Sequence, residues 1–153
     1  QVRALEVFQQ TGKTISQHNR ETRALPLRYD ALTLSLAFQR REDMWARIDR
    51  RVDEMMAAGL AEEVRALLDS GVPVRCTAMQ AIGYKEMAAA LRGGGDVCAA
   101  AEEIKLRSRQ YAKRQLTWFR RTEGAKWLFW GPEPDFEAAC RTSTKYLEEF
   151  GLV

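Results

Sequence analysis

One stretch, from Asp96 to about Arg121, constrains this chain more than any other. Val97, Ala101, Ile104, Ser108, Tyr111, Gln115 and Trp118 lie along one stripe at helical spacing behind an Asp96 cap. At about 1.5 Å per residue the helix spans nearly 40 Å, the longest element expected, so the others must arrange around it. Its charge is one-sided. Between Glu103 and Glu123 there is no acid, while Lys105, Arg107, Arg109, Lys113, Arg114, Arg120 and Arg121 are basic. Lys105, Arg109 and Lys113 follow one another turn by turn, a ridge able to meet phosphates spaced along a nucleic-acid backbone. The plainer reading is a solvated helix matched to its dipole, with Glu102 and Glu103 towards the N-terminus and bases towards the C-terminus. Charge alone leaves both readings standing. Tyr111, Trp118 and Phe119, interleaved with the bases, can stack on exposed nucleobases, although aromatics at this spacing are more often core.

Upstream, an expected helix over residues 1–10 ends at Thr11-Gly12, and Thr14-Ile15-Ser16-Gln17 has the form of a capping box opening a second helix. After Pro26 the pattern alternates strictly, with Leu32, Leu34, Leu36 and Phe38 on one side and Ala31, Thr33, Ser35 and Ala37 on the other. A strand covered on both faces is expected there. Asp43 caps the next expected helix, which carries Met44, Ile48, Val52 and Met55 and ends at Gly59; another covers 61–69. Residues 79–91 read as one helix with Gly83 in its middle, which calls for a packing or close-approach reason. Lys126 to Trp130 is a short strand, and residues 136–150 a closing helix.

With 153 residues, 46% of them hydrophobic and 29% charged, there is material for about one packed domain. The net charge of +3 makes charge distribution, not total charge, the relevant quantity for a nucleic-acid surface. No apolar run approaches the roughly 18 residues of a membrane span and no secretory pattern opens the chain, so a cytoplasmic protein without membrane attachment is expected. Cys76, Cys98 and Cys140 are scattered and lack neighbouring histidines, which argues for free thiols and against a zinc site; no residue is assigned to a metal. His18, the sole histidine, has no partner for metal or nucleophile chemistry. Because the chain opens at Gln1 without Met, a piece of a longer protein is expected.

Two short motifs remain. Gly12-Lys13-Thr14 looks like the tail of a phosphate-binding loop, but Val7 stands where that motif needs its first glycine, so a glycine-terminated helix is the better reading. Arg47 and Arg51 lie one turn apart on the helix that follows the strand, where phosphates commonly bind in α/β folds and a guanidinium can grip a pyrophosphate. Surface pairing of Asp43 with Arg47 and of Arg51 with Glu54 is the alternative.

Taken together, Arg3-Ala4-Leu5-Glu6-Val7 with Gly12-Lys13-Thr14, then Arg47-Ile48-Asp49-Arg50-Arg51-Val52, Ala81-Ile82-Gly83-Tyr84-Lys85-Glu86, and Tyr111-Ala112-Lys113-Arg114-Gln115 with Thr117-Trp118-Phe119-Arg120 resemble the C-terminal half of the tRNA dimethylallyltransferase (tRNA isopentenyltransferase) family. The blocks occur in family order across most of the chain. The resemblance implies a mainly α-helical fragment of an α/β P-loop-type fold: six or seven helices and two short strands of the parallel sheet. Residues 1–25 would end a helical insertion domain, and residues 26–153 would form the C-terminal part of the catalytic core.

The activity implied is transfer of a dimethylallyl group from dimethylallyl pyrophosphate to N6 of the adenosine 3′ of the anticodon. By resemblance, Arg51 is the catalytic arginine on the donor pyrophosphate, with Arg47 beside it. Gln80, Ala81, Ile82, Gly83, Tyr84 and Lys85 match one tRNA-contacting segment. Lys113, Arg114, Gln115, Thr117, Trp118 and Arg120 match a second, and Arg3 falls at the edge of a third. The expected partners are a tRNA anticodon stem-loop and dimethylallyl pyrophosphate, acting on a monomer. Mg²⁺ is expected to be held mainly by the pyrophosphate and by the family's N-terminal half, whose phosphate loop and aspartate base have no counterpart in these residues. The fragment alone is expected to be inactive. The rival readings are a helical RNA-binding module without chemistry and a helical interaction domain with a solvated basic face.

Overall fold

The computed structural model describes residues 2–26 and 28–152, and among them seven α-helices and two parallel β-strands follow the expected order. The expected first-helix start at Gln1 lies outside the described residues. The chain divides into two compact units, Gln1–Ala31 and Leu32–Val153, where the sequence reading placed a boundary after residue 25.

In the first unit, α1 (Val2–Thr11) stops at Gly12, whose φ of +68° is left-handed, and α2 (Ile15–Ala24) begins at a capping box. Thr14 Oγ1 accepts from the Gln17 N–H at 3.2 Å, and Gln17 Oε1 accepts from the Thr14 N–H at 3.4 Å. Lys13 Nζ donates to both Glu21 carboxylate oxygens (2.7 and 3.0 Å), a contact that lowers the pKa of Glu21. Gly12-Lys13-Thr14 is thus a turn followed by a cap.

In the second unit, β1 (Leu34–Phe38) pairs in parallel with β2 (Lys126–Trp130), Leu34 opposite Lys126 and Phe38 opposite Trp130. The strand departs from expectation in which side is covered. Ser35, on the face of its register partner Trp127, is only 6% exposed, whereas Leu36 is 57% exposed. On β2 the order reverses, with Leu128 on the Leu36 face buried (7% exposed) and Phe129 on the Ser35 face open (59%), so with only two strands each face is partly covered and partly open.

Helix α3 (Arg41–Ala57) starts earlier than expected: Arg40 already has the extended backbone of a cap (φ −113°, ψ 139°), which puts Asp43 in the first turn beside Glu42, where its charge suits the dipole. After Gly59 (φ +95°) the chain re-enters α4 (Leu60–Asp69). Residues 79–91 are not one helix. A 3₁₀ turn (Ala78–Gln80) is separated from α5 (Tyr84–Gly93) by a break at Gly83, buried with φ +104° and ψ −60°. Only glycine adopts that conformation without strain, and Glu86 Oε2 accepts the Gly83 N–H at 2.9 Å, closing the new helix start.

The long helix α6 (Val97–Phe119) is capped by Asp96 as expected, and α7 (Phe136–Phe150) closes the unit. The core is helical: Val52 of α3, Leu60 and Val64 of α4, Met79 of the 3₁₀ turn, Met87 of α5 and Ile104 of α6 are all buried in one cluster. The α6 stripe is buried only at its start, through Ala100, Ala101 and Ile104; Tyr111, Trp118 and Phe119 emerge into solvent, Trp118 at 66%. These aromatics are therefore not core. Among the described residues no helix is long and apolar enough to cross a membrane.

Candidate functional site

Helix α3 presents Arg47 and Arg51 on one side because they lie four residues apart. They border a hollow of about 330 Å³. Its floor is apolar, built by Ile48, Val52 and Met55 of α3, Ile82 from the turn before α5, and Ile104 of α6, with Ser108 at the edge. A short apolar chain fits such a floor while an anion meets the two guanidinium groups. Arg51 is 69% exposed and lies 3.8 Å from Glu54, a loose surface pair. Arg47 has no carboxylate within ion-pair distance among the described residues, so the expected Asp43 pairing does not form.

Ile82 also lines a second hollow, of about 650 Å³, between α5 and α6. Gln80 and Lys85 stand at one side of it and Arg107, Gln110 and Arg114 at the other. Gln110 and Arg114 then pass into a third, of about 480 Å³, formed with Lys113, Thr117, Trp118 and Arg121. One continuous surface thus runs from the two arginines, across Ile82, to an exposed tryptophan among bases. Guanidinium and ammonium groups there can take phosphates, and Trp118 can stack on an unpaired base.

The sequence-selected residues fall into distinct settings. Gln80 Nε2 donates to the Val74 carbonyl at 2.8 Å, and the Ala81 N–H to the Ala78 carbonyl at 3.2 Å, so both are fixed in the turn before α5, and Gln80 lines the groove. Gly83 is buried beneath them, with Met55 Cε 3.8 Å from the place a β-carbon would take. The half-buried Tyr84 donates its hydroxyl to Glu63 of α4 at 2.5 Å, and this bond holds its pKa above the ordinary phenol value. Thr117 Oγ1 donates to the Lys113 carbonyl at 2.9 Å, while Gln115 and Arg120 are exposed on the last turns of α6. Arg3 is exposed on α1, in the other compact unit.

The ridge on α6 is only partly free. Lys105 Nζ reaches Asp53 at 2.7 Å and Glu102 at 2.8 Å, its side chain is 13% exposed, and both carboxylates raise its pKa, Asp53 foremost. Arg109 Nη1 donates to both oxygens of Asp49, at 2.6 and 2.7 Å. Lys113 and Arg114 have no such carboxylate among the described residues and are exposed. Gln110, one turn before Arg114, was not singled out from the sequence; its position on the basic face was the available signal. No group of three His, Cys, Asp or Glu able to hold a metal ion occurs among the described residues.

Residues 1–122 match the model of the IPP transferase family. The chain belongs to that family. It is 49% identical over 127 residues to a tRNA dimethylallyltransferase 1 of Trichlorobacter lovleyi, covering 83% of this chain and 41% of that protein. It is 38% identical over 151 residues to a tRNA dimethylallyltransferase of Acetivibrio thermocellus, covering 99% and 48%. Its fold is similar to the crystal structure of a tRNA isopentenylpyrophosphate transferase from Staphylococcus epidermidis, with a TM-score of 0.72, 34% identity, and 97% and 48% of the two chains covered. The full-length Bacillus halodurans transferase gives a TM-score of 0.74 at 29% identity, covering 96% of this chain and 51% of that one. The chain therefore spans about half or less of the length of the family members it matches, and the resemblance read from its motifs holds at the level of the family.

Proposed function

We propose that this chain supplies the pyrophosphate arginine and the tRNA-gripping face of a tRNA dimethylallyltransferase. The transferred group moves from dimethylallyl pyrophosphate to N6 of the adenosine 3′ of the anticodon. A bond forms between N6 and the prenyl carbon, the bond from that carbon to the pyrophosphate oxygen breaks, pyrophosphate leaves with the electron pair, and N6 loses a proton. The observation that carries this reading is the junction at Ile82, where an apolar hollow beneath two arginines meets a polar groove of mixed charge that leads through Gln110 and Arg114 to the basic surface around Trp118. Donor and acceptor would meet across that residue.

Each group then has a physical task. Arg51, with Arg47, stabilises the charge that builds on the leaving pyrophosphate. Ile48, Val52 and Met55 shelter the prenyl carbons from water. Lys85, Lys113, Arg114 and Arg120 hold phosphates, Trp118 takes a base of the anticodon loop, and the target adenine leaves its stack to enter the groove. Tyr84 and Gly83 do not line the groove: Gly83 is buried, and Tyr84 turns to Glu63 of α4.

Among the described residues no carboxylate or histidine lines the donor hollow, and the groove's carboxylates are engaged, Glu86 by the Gly83 N–H, Asp96 by the Cys98 N–H and Glu103 by Arg107, so we read the base that accepts the N6 proton as lying outside this chain. Among the described residues Mg²⁺ finds no ligand set either and would travel with the pyrophosphate; no step above depends on it. The first compact unit, carrying Arg3, is read as the end of a helical insertion, and the second as part of the catalytic core. We read the protein as a monomer, and a tRNA substrate supports a cytoplasmic setting. The missing base also favours a second reading, a helical RNA-binding module without chemistry.

The test is to incubate the full-length protein containing this chain with tRNA, dimethylallyl pyrophosphate and magnesium, then analyse the nucleosides by mass spectrometry. Prenylated adenosine from the anticodon loop is expected. Binding of tRNA with no modified nucleoside selects the RNA-binding module instead.

A further inference from the structure

The donor hollow lies in the seam between α3 and α6, and the same seam carries the two ion pairs between these helices. Asp49 grips Arg109 and Asp53 grips Lys105, so the helices run antiparallel here. Each partner adjoins a residue of the hollow: Asp49 follows Ile48, Asp53 follows Val52, Lys105 follows Ile104 and Arg109 follows Ser108. We propose that Asp49 and Asp53 are positioning residues for the donor hollow, setting the spacing of its two walls and fixing Arg47 and Arg51 relative to the basic face of α6.

Spacing matters because a misplacement of about 1 Å at a reacting centre can cost on the order of a hundredfold in rate. Apolar contact alone sets such a spacing less sharply, since it is non-directional and Met55 is flexible. Charge-assisted bonds of 2.6 to 2.7 Å at two points one turn apart restrict such a slide. Asp49 and Arg109 are both partly buried, which strengthens the pair against screening by salt. The Asp53 carboxylate is more exposed and adds the second point of registration.

This inference rests on the prenyl-pyrophosphate reading of the hollow, and the test separates the two. In the full-length protein, Asp49→Asn and Asp53→Asn are compared with wild type for kcat, for KM of dimethylallyl pyrophosphate and of tRNA, and for melting temperature. Asp49→Asn is expected to raise the donor KM about tenfold while the tRNA KM stays within about twofold and the protein remains folded at the assay temperature. Asp53→Asn is expected to do the same more weakly. No turnover by wild type overturns the reading and the inference together. Turnover by wild type with unchanged donor KM in both variants, even with a lower melting temperature, overturns the inference alone. Should Asp49→Asn fail to fold, Asp49→Glu decides: it keeps the charge but moves the carboxylate by one methylene, and an unchanged donor KM there is equally fatal.

Discussion

Lys105 on α6 reaches across to Asp53 on α3 at 2.7 Å, with 13% of its side chain exposed. A lysine so committed has little left to offer a phosphate. On the proposed reading, the charge that meets phosphate sits further along, at Lys113 and Arg114 of α6 and Arg121 just beyond its end. Replacing any of these three by Ala should weaken tRNA binding and reduce the slope of log affinity against log salt by about one. Lys105→Ala should leave the slope unchanged and lower the melting temperature. Filter binding across a salt series checks both, and a slope that falls with Lys105 but not with Lys113 would reverse the assignment.

A second expectation concerns Gly83. Its φ of +104° is strained for any other residue, yet a β-carbon would meet only Met55 Cε at an ordinary 3.8 Å. The cost of Gly83→Ala is thus conformational, about 1–3 kcal/mol, and the protein should still fold. Denaturant unfolding should show a lower midpoint with an unchanged slope. A change of less than about 0.5 kcal/mol would mean that the break before α5 relaxes freely.

These two positions also show what the sequence could and could not disclose. Helices α3 to α6 were legible because their apolar residues recur at helical spacing and their ends carry Asp96, Gly59 or Gly94. The break at Gly83 was not, since Met79, Met87 and Ala88 continue an apolar pattern across it and hide a backbone that only the glycine permits. The pairs to Lys105 and Arg109 were hidden for another reason: a local reading sees neighbours three or four residues away, whereas Arg109 and Asp49 are 60 residues apart in sequence. A signal existed in the matching four-residue spacings of Asp49 with Asp53 and of Lys105 with Arg109. The donor hollow was half legible. Arg47 and Arg51 stood out by charge, while its floor read simply as core.

Tyr84 carries a pH signature. Its hydroxyl donates to Glu63, so ionising it would set a phenolate against a carboxylate, and its pKa is raised. While Glu63 is ionised, the bond stabilises the fold at pH values below the ordinary phenol pKa of about 10, and that contribution is lost as pH rises through the higher folded value. Absorbance titration near 295 nm should show that the component missing in Tyr84→Phe titrates last among the four tyrosines. Glu63→Gln should bring it down. A Tyr84 component that ionises with the others would show that the bond does not form in solution.

The 153-residue chain alone should bind tRNA yet transfer no prenyl group, because among the described residues no carboxylate or histidine lines the donor hollow, and Glu86, Asp96 and Glu103 of the adjoining groove are already bonded within the chain. Mass spectrometry of nucleosides after long incubation with tRNA, dimethylallyl pyrophosphate and magnesium checks this. Turnover on the order of 1 per second would place the base within these residues after all.

Arg51 separates catalysis from surface pairing most sharply. It stands beside Arg47 at the rim of the donor hollow, and its only described carboxylate neighbour, Glu54, is 3.8 Å away on an exposed surface. In the full-length protein, Arg51→Ala should lower kcat by roughly 100-fold, a loss of about 3 kcal/mol of transition-state stabilisation, with tRNA affinity nearly unchanged. Arg51→Lys should recover part of it, since an ammonium keeps the charge and loses the planar, two-pronged geometry. Arg47→Ala should act in the same direction. If the arginine served only Glu54, the cost would be a stability change within about 1 kcal/mol and normal turnover. Measuring kcat, tRNA affinity and unfolding on the same variants distinguishes these outcomes, and a normal kcat in Arg51→Ala removes the residue from the active site.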